Sequence, residues 1–167
     1  IAILNRDGVV VEKDAFDQAR REWEASIPSD PGNEGVAKGW HQPETPDESW
    51  NVMTLPTGWQ AAGHDISGVF WFRREVILPA RWSGRELELH LGACDKEDRT
   101  YFDGHAVGGI GLKDDPASWS RPRIYRISAD RVREGRHVVA VRVFSNIYQG
   151  GMIGPAAEMW LAPVDAP

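Results

Sequence analysis

Alternation of apolar and polar residues is strongest in the middle of the chain. In residues 86–91 (ELELHL), leucine occupies every second position, which is the period of a strand with one buried face. The β-branched and aromatic run at 99–102 ends at Asp103-Gly104, a dipeptide typical of two-residue hairpin turns. A third strand is expected at 105–108. The pattern predicts a three-stranded antiparallel meander on which the rest of the chain packs in layers.

Several other segments show the same two-residue period. Residues 68–78 (GVFWFRREVIL) begin with apolar residues on both faces, which is typical of a central strand. Residues 51–56 predict a short first strand that Pro56 ends. Further strands are expected at 124–128, 137–144 and 158–163. About seven to nine short strands, with turns roughly every ten residues, predict an all-β sandwich.

The N-terminal part of the chain has a different pattern. Phe16, Ala19 and Trp23 recur at three- and four-residue spacing behind Asp14, a candidate N-cap, and predict one helix at about 14–27. The next residues, up to Pro46, are rich in Pro, Gly and Asp and predict an irregular linker. The expected organisation is an N-terminal extension (1–46), a β-sandwich domain (47–163) and a tail (164–167).

Bulk properties narrow the class of protein. A chain of 167 residues suits one domain, and its net charge of −6 repels phosphate and anionic lipid. We therefore expect neither nucleic acid nor a membrane as a partner, and no apolar run approaches the roughly 20 residues of a membrane span. The single cysteine, Cys94, excludes an internal disulfide and a cysteine-built zinc site but leaves the compartment open. Because the sequence begins at Ile1, we expect a fragment of a longer protein.

Tryptophan is over-represented, with eight residues against three tyrosines. A flat indole covers the apolar face of a pyranose, so tryptophan-rich β-domains often bind sugars. Most of these indoles are nevertheless expected in the core, since tryptophan is usually well buried.

No catalytic residue is predicted from the motifs. The chain has no G-x-S-x-G elbow, and although His64, Asp65 and Ser67 share one loop, residues so close in sequence seldom reach triad geometry. The acidic side chains in the predicted hairpin turns could pair for glycoside hydrolysis, but turn carboxylates are usually solvated or bound by backbone N–H groups. We expect Asp95, or alternatively Asp98, to form a structural ion pair with Arg123 on a neighbouring strand.

Metal and cofactor sites find little support. The five histidines show no H-x-x-x-H spacing, so no transition-metal site and no cofactor are predicted. A structural calcium ion is an alternative, since residues 30–34 or Asp114-Asp115 could supply oxygen ligands. Solvated carboxylates are favoured at both places.

Three groups of residues carry a resemblance to a known type of domain. They are Ser49-Trp50-x-x-Met53-x-Leu55-Pro56-x-x-Trp59 with Gly68-Val69-Phe70-Trp71-Phe72-Arg73-Arg74-x-Val76-x-Leu78-Pro79; Leu91-Gly92-x-x-Asp95-x-x-Asp98-x-x-Tyr101-Phe102-x-Gly104-x-x-Val107-Gly108; and Arg123-x-Tyr125, Ala140-Val141-Arg142-Val143 and Gly150-Gly151. Together they resemble the jelly-roll domain inserted in sialate O-acetylesterases, from about Trp50 to Leu161. More loosely, the outline is similar to the sugar-binding domain of glycoside hydrolase family two.

The resemblance implies a galactose-binding-like jelly roll that is not itself catalytic. In those esterases a G-Q-S-N motif and a later Asp-x-x-His lie in a separate SGNH-type domain, and neither motif occurs here. The sequence departs from the family at Asp103 and His137, where Asn is common, and at Cys94, where Ile is usual. The family likeness favours a periplasmic or secreted location.

Three functional hypotheses follow from the resemblance. The chain is an accessory domain that packs on the catalytic domain of an acetylesterase, an independent carbohydrate-binding module, or the non-catalytic domain of a family-two glycosidase. In the first case Phe16 and Trp23 would mark a domain interface. In the second, the sugar ligand would be bound at one end of the sandwich by stacking and hydrogen-bonding residues, namely Trp119, Tyr148, Asp98, Arg121, Asn146 and Gln149.

Overall fold

The computed structural model describes residues 3–4, 10–11, 13–26, 32, 34–146 and 149–164. The strands are β1 (Ile3–Leu4), β2 (Val10–Val11), β3 (Thr57–Gly58), β4 (Gly68–Leu78), β5 (Leu87–Asp95), β6 (Glu97–Phe102), β7 (His105–Gly108), β8 (Pro122–Ile127), β9 (Gly135–Ser145), β10 (Gly151–Met152) and β11 (Met159–Pro163). The α-helices are α1 (Lys13–Ser26) and α2 (Glu34–Ala37), and short 3-10 turns occur at Ala80–Trp82, Ser118–Ser120, Ala129–Arg131 and Ala156–Glu158.

Two antiparallel sheets face each other, so the predicted all-β sandwich is confirmed. The first sheet has the order β4-β9-β6-β7. In the second, β5 is central: β8 pairs with one of its edges, and β11 and β10 pair with the other, with β3 beyond β10. The inward faces of both sheets form one core that includes Trp59, Leu87, Leu89, Phe102, Ile127, Val141 and Val143.

The predicted meander is wrong in one of its two pairings. β5 and β6 follow each other in sequence, but β5 pairs with β8, β10 and β11, whereas β6 pairs with β7 and β9. The short turn at Asp95 and Lys96 therefore carries the chain from one sheet to the other. Both segments alternate as predicted, but a two-residue period is the same whichever sheet a strand joins.

The second pairing of the meander is confirmed. β6 and β7 form a hairpin with Phe102 opposite His105. Asp103 and Gly104 between them have φ angles of 44° and 77°, the left-handed conformation that such a turn requires. The Asp103 carboxylate also accepts a hydrogen bond from the backbone N–H of Val138 at 2.8 Å, which ties the turn to β9.

The strand β4 is an edge strand of its sheet, whereas the sequence predicted a central one. It pairs only with β9 among the described strands. The first part of its outer face is apolar where residues 34–50 cover it: Trp40 packs edge-on against Trp71, with ring centroids 6.1 Å apart. Arg73 holds this cover by donating hydrogen bonds to the carbonyls of residues 40, 42 and 45 at 2.6–3.1 Å.

The predicted first strand at 51–56 does not form. This segment has no regular structure and brings Met53 and Leu55 against the core. The nearest strand is the two-residue β3, directly after Pro56. The apolar alternation there reflects insertion into the core rather than strand pairing.

The predicted helix corresponds to α1, although the side chains of Phe16 and Trp23 lie outside what the structure describes. Whether these two residues mark a domain interface therefore stays a prediction. The segment predicted to be a linker includes the short α2, and from residue 34 onward it lies on the sandwich.

A β-bulge at Gly92 brings the strand β5 into close contact with the loop after β10. The pairing of β5 with β8 shifts register between His90 and Gly92, and Gly92 has a φ of 63°. A Cβ atom at this position would lie 2.8 Å from the Cα of Gly154. Both the left-handed backbone and the close approach therefore require glycine.

We predict that Gly92→Ala destabilises the fold much more than Gly84→Ala. Gly84 has a similar φ of 73°, but nothing lies within 4 Å of a Cβ placed there. Gly84→Ala should cost about 1–2 kcal/mol for the left-handed conformation. Gly92→Ala should cost about 1–3 kcal/mol more, because the loop must move. Urea unfolding of both variants measures the difference, and equal losses would contradict the close approach.

Candidate functional site at the Arg123 end

Four loops meet at one end of the sandwich, which we call the Arg123 end. The strand registers bring them together, because Gly68 lies opposite Ser145, Glu97 opposite Phe144, and Ala93 opposite Pro122. The loops comprise residues 59–67, 95–97 and 109–121, and the described residues 145–146 and 149–150.

The side chain of Arg123 organises this end from the inside. It is fully buried, and its Nε donates a hydrogen bond to Oδ1 of Asp98 at 2.7 Å. Its other nitrogens donate to backbone carbonyls of two loops: Cys94 and Lys96 at 2.9 Å each, and also Ser118 and Arg121. One guanidinium therefore connects the β5–β6 turn to the turn that precedes β8.

The Asp98 carboxylate is the acceptor centre of the same network. The Tyr125 hydroxyl lies 2.9 Å from both of its oxygens, and the Thr100 hydroxyl donates to Oδ2 at 2.8 Å. The backbone N–H of Ile110 donates to Oδ1 at 3.2 Å. Every one of these contacts is made within the protein, so the carboxylate is a structural group.

The prediction that Asp95 forms an ion pair with Arg123 is wrong. Arg123 pairs with Asp98, the alternative that the sequence left open, whereas the Asp95 carboxylate lies 3.5 Å from Nζ of Lys96. The reason is strand parity: Asp98 faces the interior, and Asp95 lies at the half-buried turn between the sheets.

Burial suppresses the acid–base chemistry of the neighbouring groups. It raises the pKa of the Cys94 thiol far above its ordinary value, and the negative charge of Asp98 adds to this shift. Burial, again with Asp98, raises the pKa of the Tyr125 hydroxyl well beyond the physiological range. Neither group can supply a thiolate or a phenolate at neutral pH.

The loop before β8 presents apolar side chains to solvent on this fixed support. Ser118 is fully buried and its carbonyl is held by Arg123, while the adjacent Trp119 is 52% exposed. Leu112, earlier in the same loop, is 42% exposed. An exposed indole on a rigid turn can stack on a flat apolar surface without a large loss of conformational entropy.

Charged residues flank Trp119. Nη1 of Arg121 donates to Asp115 at 2.8 Å, and this hydrogen bond lowers the pKa of the Asp115 carboxyl. Asp115 also accepts the backbone N–H of Ala117, and Asp114 accepts that of Gly111. These two carboxylates, considered in the sequence for calcium, therefore stabilise the loop.

The six predicted sugar-binding residues have different environments. Trp119 and Arg121 are exposed, Asn146 is partly exposed and Gln149 is exposed, all at the Arg123 end. Asp98 is only 4% exposed and bound internally, so it cannot reach a ligand. Tyr148 lies outside the described residues. Gln149 lines a polar groove of about 480 Å³ with residues of the 60–67 loop, and Trp119 does not line that groove.

Other candidate chemistry in the sequence does not assemble. His64 lies edge-on against Phe70, with ring centroids 5.5 Å apart, and no hydrogen bond joins it to Asp65 or Ser67 in the part of the chain that the structure describes. Within the same residues, no group of three or more His, Cys, Asp or Glu side chains could hold a metal ion. No helix there is long and apolar enough to cross a membrane.

Sequence reasoning missed the role of Thr100 and Tyr125 in the Asp98 network. The signal was present in β8, where Arg123, Tyr125 and Ile127 share one parity and are all buried. An arginine and a tyrosine on the inward face of a strand predict a buried polar network, because unsatisfied donors there would be costly.

Comparisons with known proteins bear on the fold. No protein-family model matches the chain, and no curated protein matches it significantly. Solved structures do match. Ruminococcus gnavus β-glucuronidase aligns with a TM-score of 0.55 and 21% identity, covering 71% of this chain and 20% of that one. The chain shares its fold with part of that protein.

Two further β-glucuronidases align with the chain in the same way, over a small part of their own length. A calcium-binding mutant of Bacteroides uniformis β-glucuronidase 2 aligns with a TM-score of 0.59 and 20% identity, over 76% of this chain and 17% of that one. A β-glucuronidase from an uncultured Clostridium sp. aligns with a TM-score of 0.54 and 19% identity, over 71% of this chain and 20% of that one. The present chain thus spans no more than about one fifth of these structures. At this identity the likeness concerns the fold alone.

We predict that Asp98→Asn destabilises the protein by about 3–5 kcal/mol, because it leaves the Arg123 guanidinium buried without a counter-charge. The measurement is the free energy of unfolding in urea at pH 7. A loss below about 1 kcal/mol would mean that the pair is not needed.

Asp95→Asn is the matched control. Burial raises the pKa of Asp95 in the folded state, so its ionised form costs stability at pH 7, and that cost disappears as the pH falls through the folded pKa towards the unfolded value. Asp95→Asn should therefore be neutral or slightly stabilising at pH 7, within about 1 kcal/mol.

Proposed function

We propose that the chain is a non-catalytic β-sandwich domain of a larger carbohydrate-active hydrolase of the family-two glycosidase type. The observation that carries this proposal is the fold shared with one fifth or less of three β-glucuronidases. The looser of the two sequence resemblances, to the sugar-binding domain of family-two glycosidases, agrees with it.

The described side chains support a structural rather than a catalytic role. The Asp98 carboxylate is bound internally, and burial keeps Cys94 and Tyr125 protonated. Two surfaces at the Arg123 end can meet an external ligand: the polar groove at Gln149, and the exposed Trp119 with Arg121 and Leu112 in the same loop. The second is the apolar one. In the proposed role this loop forms one rim of a sugar site completed by the catalytic domain.

An esterase parent is the second candidate, and the sequence motifs favour it. The sequence from about Trp50 to Leu161 resembles the domain inserted in sialate O-acetylesterases more closely than it resembles the sugar-binding domain of family-two glycosidases. The β-glucuronidases reported above do not support this assignment. An independent carbohydrate-binding module is a third possibility, distinguished by sugar binding in the absence of any catalytic domain.

The test compares the purified chain with the full polypeptide encoded by its gene. We expect the full polypeptide to hydrolyse 4-methylumbelliferyl β-glucuronide or another 4-methylumbelliferyl glycoside, and the isolated chain to hydrolyse none. Hydrolysis of 4-methylumbelliferyl acetate and O-acetylated sialic acid, without glycosidase activity, would instead identify an esterase parent. Turnover by the isolated chain would contradict a non-catalytic domain.

We predict that Trp119→Ala in the full polypeptide raises KM about tenfold, corresponding to about 1.4 kcal/mol of binding, with little change in kcat. The reason is loss of a stacking surface that binds ground state and transition state alike. Ile124→Ala is the control, because this residue is equally exposed, at 51%, but lies on the outer face of β8. Both variants should unfold within about 0.5 kcal/mol of the parent. An unchanged KM for Trp119→Ala would remove this loop from the site.

A further inference from the structure

The two long sides of the sandwich differ. On one side β7 and β8 are in contact, so closely that a Cβ atom at Gly108 would lie 2.0 Å from the ring of Tyr125. On the other side the edge strands β4 and β11 have no strand between them, and each pairs with a single neighbour among the described strands. No described strand therefore closes the sandwich on this second side.

An apolar slot of about 890 Å³ opens between these edges, and we call it the β4–β11 slot. Its walls are core side chains of both sheets: Phe72 and Val76 from β4, Leu89 and Leu91 from β5, and Met159 and Leu161 from β11. Residues 50–55 also line it. All three methionines of the chain, Met53, Met152 and Met159, line this slot. Methionine adapts its shape to a partner, and it is common on binding surfaces for that reason.

Arg74 gives the slot a charge. It occupies an inward position of β4, between the core residues Phe72 and Val76, but it is exposed, and it lines the slot together with Asp47 and Glu75. The outward residues on either side of it, Arg73 and Glu75, pair with Asp47 and Arg136. Arg74 itself forms no hydrogen bond or ion pair with any described residue. A carboxylate on whatever enters the slot would complement it.

We infer that the β4–β11 slot accepts an extended strand from the remainder of the larger polypeptide, with apolar residues facing the interior and an Asp or Glu opposite Arg74. This inference rests on the proposed function, which supplies that polypeptide; the chain spans one fifth or less of the matched structures. A strand fits because both edges offer unpaired backbone groups, and alternate side chains of a strand reach one face only. Such a strand would complete one sheet and cover the core.

Methionine oxidation measures the access of solvent to the slot. Hydrogen peroxide converts an accessible methionine to its sulfoxide. We expect Met53 and Met159 to oxidise at least about tenfold more slowly in the full polypeptide than in the 167-residue chain. The variant Ile77→Met provides an internal reference, since residue 77 is 68% exposed on the outward face of the same strand. Its rate should not change, and equal rates for Met53 and Met159 in both proteins would overturn the proposal.

Hydrogen exchange separates a paired strand from a domain that merely covers the slot. A paired strand should slow exchange of alternate backbone amides along β4 or β11 in the full polypeptide, since only every second amide points to that edge. Protected methionines without this alternate pattern would overturn strand addition.

Charge reversal tests the acidic partner. Arg74→Glu should restore most of the methionine oxidation seen in the isolated chain, whereas Arg81→Glu, at an exposed residue of the Ala80–Trp82 turn, should not. Equal effects of the two reversals would overturn the acidic assignment. None of these measurements depends on enzyme turnover. A result that contradicts strand addition can therefore be distinguished from a failure to find glycosidase activity.

Discussion

A buried guanidinium is tolerated only where every donor finds a partner, and Arg123 meets this condition with one carboxylate and four carbonyls. Three of those carbonyls, of Lys96, Ser118 and Arg121, belong to turns, where backbone groups lose the partners that a strand would give them; the fourth, of Cys94, lies near the end of β5. The side chain thus replaces strand pairing at the end of the sandwich. Because it binds the β5–β6 turn and the turn before β8 together, Trp119 has a fixed position relative to both sheets.

A second arginine, on the outer face of β4, also donates hydrogen bonds to the backbone of an irregular segment. Arg73 donates to three carbonyls of the covering segment and pairs with Asp47 at 3.0 Å. Irregular backbone packed on a sheet must find hydrogen bonds outside secondary structure, and arginine offers five donors in one planar group. The cover in turn explains how an edge strand can be apolar on both faces. Trp71 is shielded by Trp40 on that face and would otherwise be exposed to solvent.

Period-two hydrophobicity located β4, β5, β6, β8, β9 and β11, because alternation depends only on local burial. It could not assign β5 and β6 to different sheets, since the turn at residues 95–97 looks the same in a hairpin and in a crossing. Likewise, apolar residues on both faces at the start of β4 indicate that both faces are buried there. They do not indicate whether another strand or an irregular segment covers the outer face. At the candidate site, the sequence named Trp119 as a stacking residue but did not decide whether it is exposed, which the structure shows it to be. The burial of Asp98 was not predictable, because it depends on contacts with Arg123 and Tyr125, which lie about 25 residues away.

Asp103 and His137 looked like two separate departures from the family pattern, yet they contact each other. Nδ1 of His137 lies 2.6 Å from the Asp103 carboxylate, and the imidazole stacks on Phe102. The strand β6 is therefore secured beside both of its ends by a carboxylate and a basic side chain from a neighbouring strand, with Asp98 and Arg123 forming the other pair. The carboxylates of Asp98 and Asp103 therefore already have basic partners. Arg74 on β4 has no such partner among the described residues; in the proposed strand addition, the entering strand supplies the carboxylate.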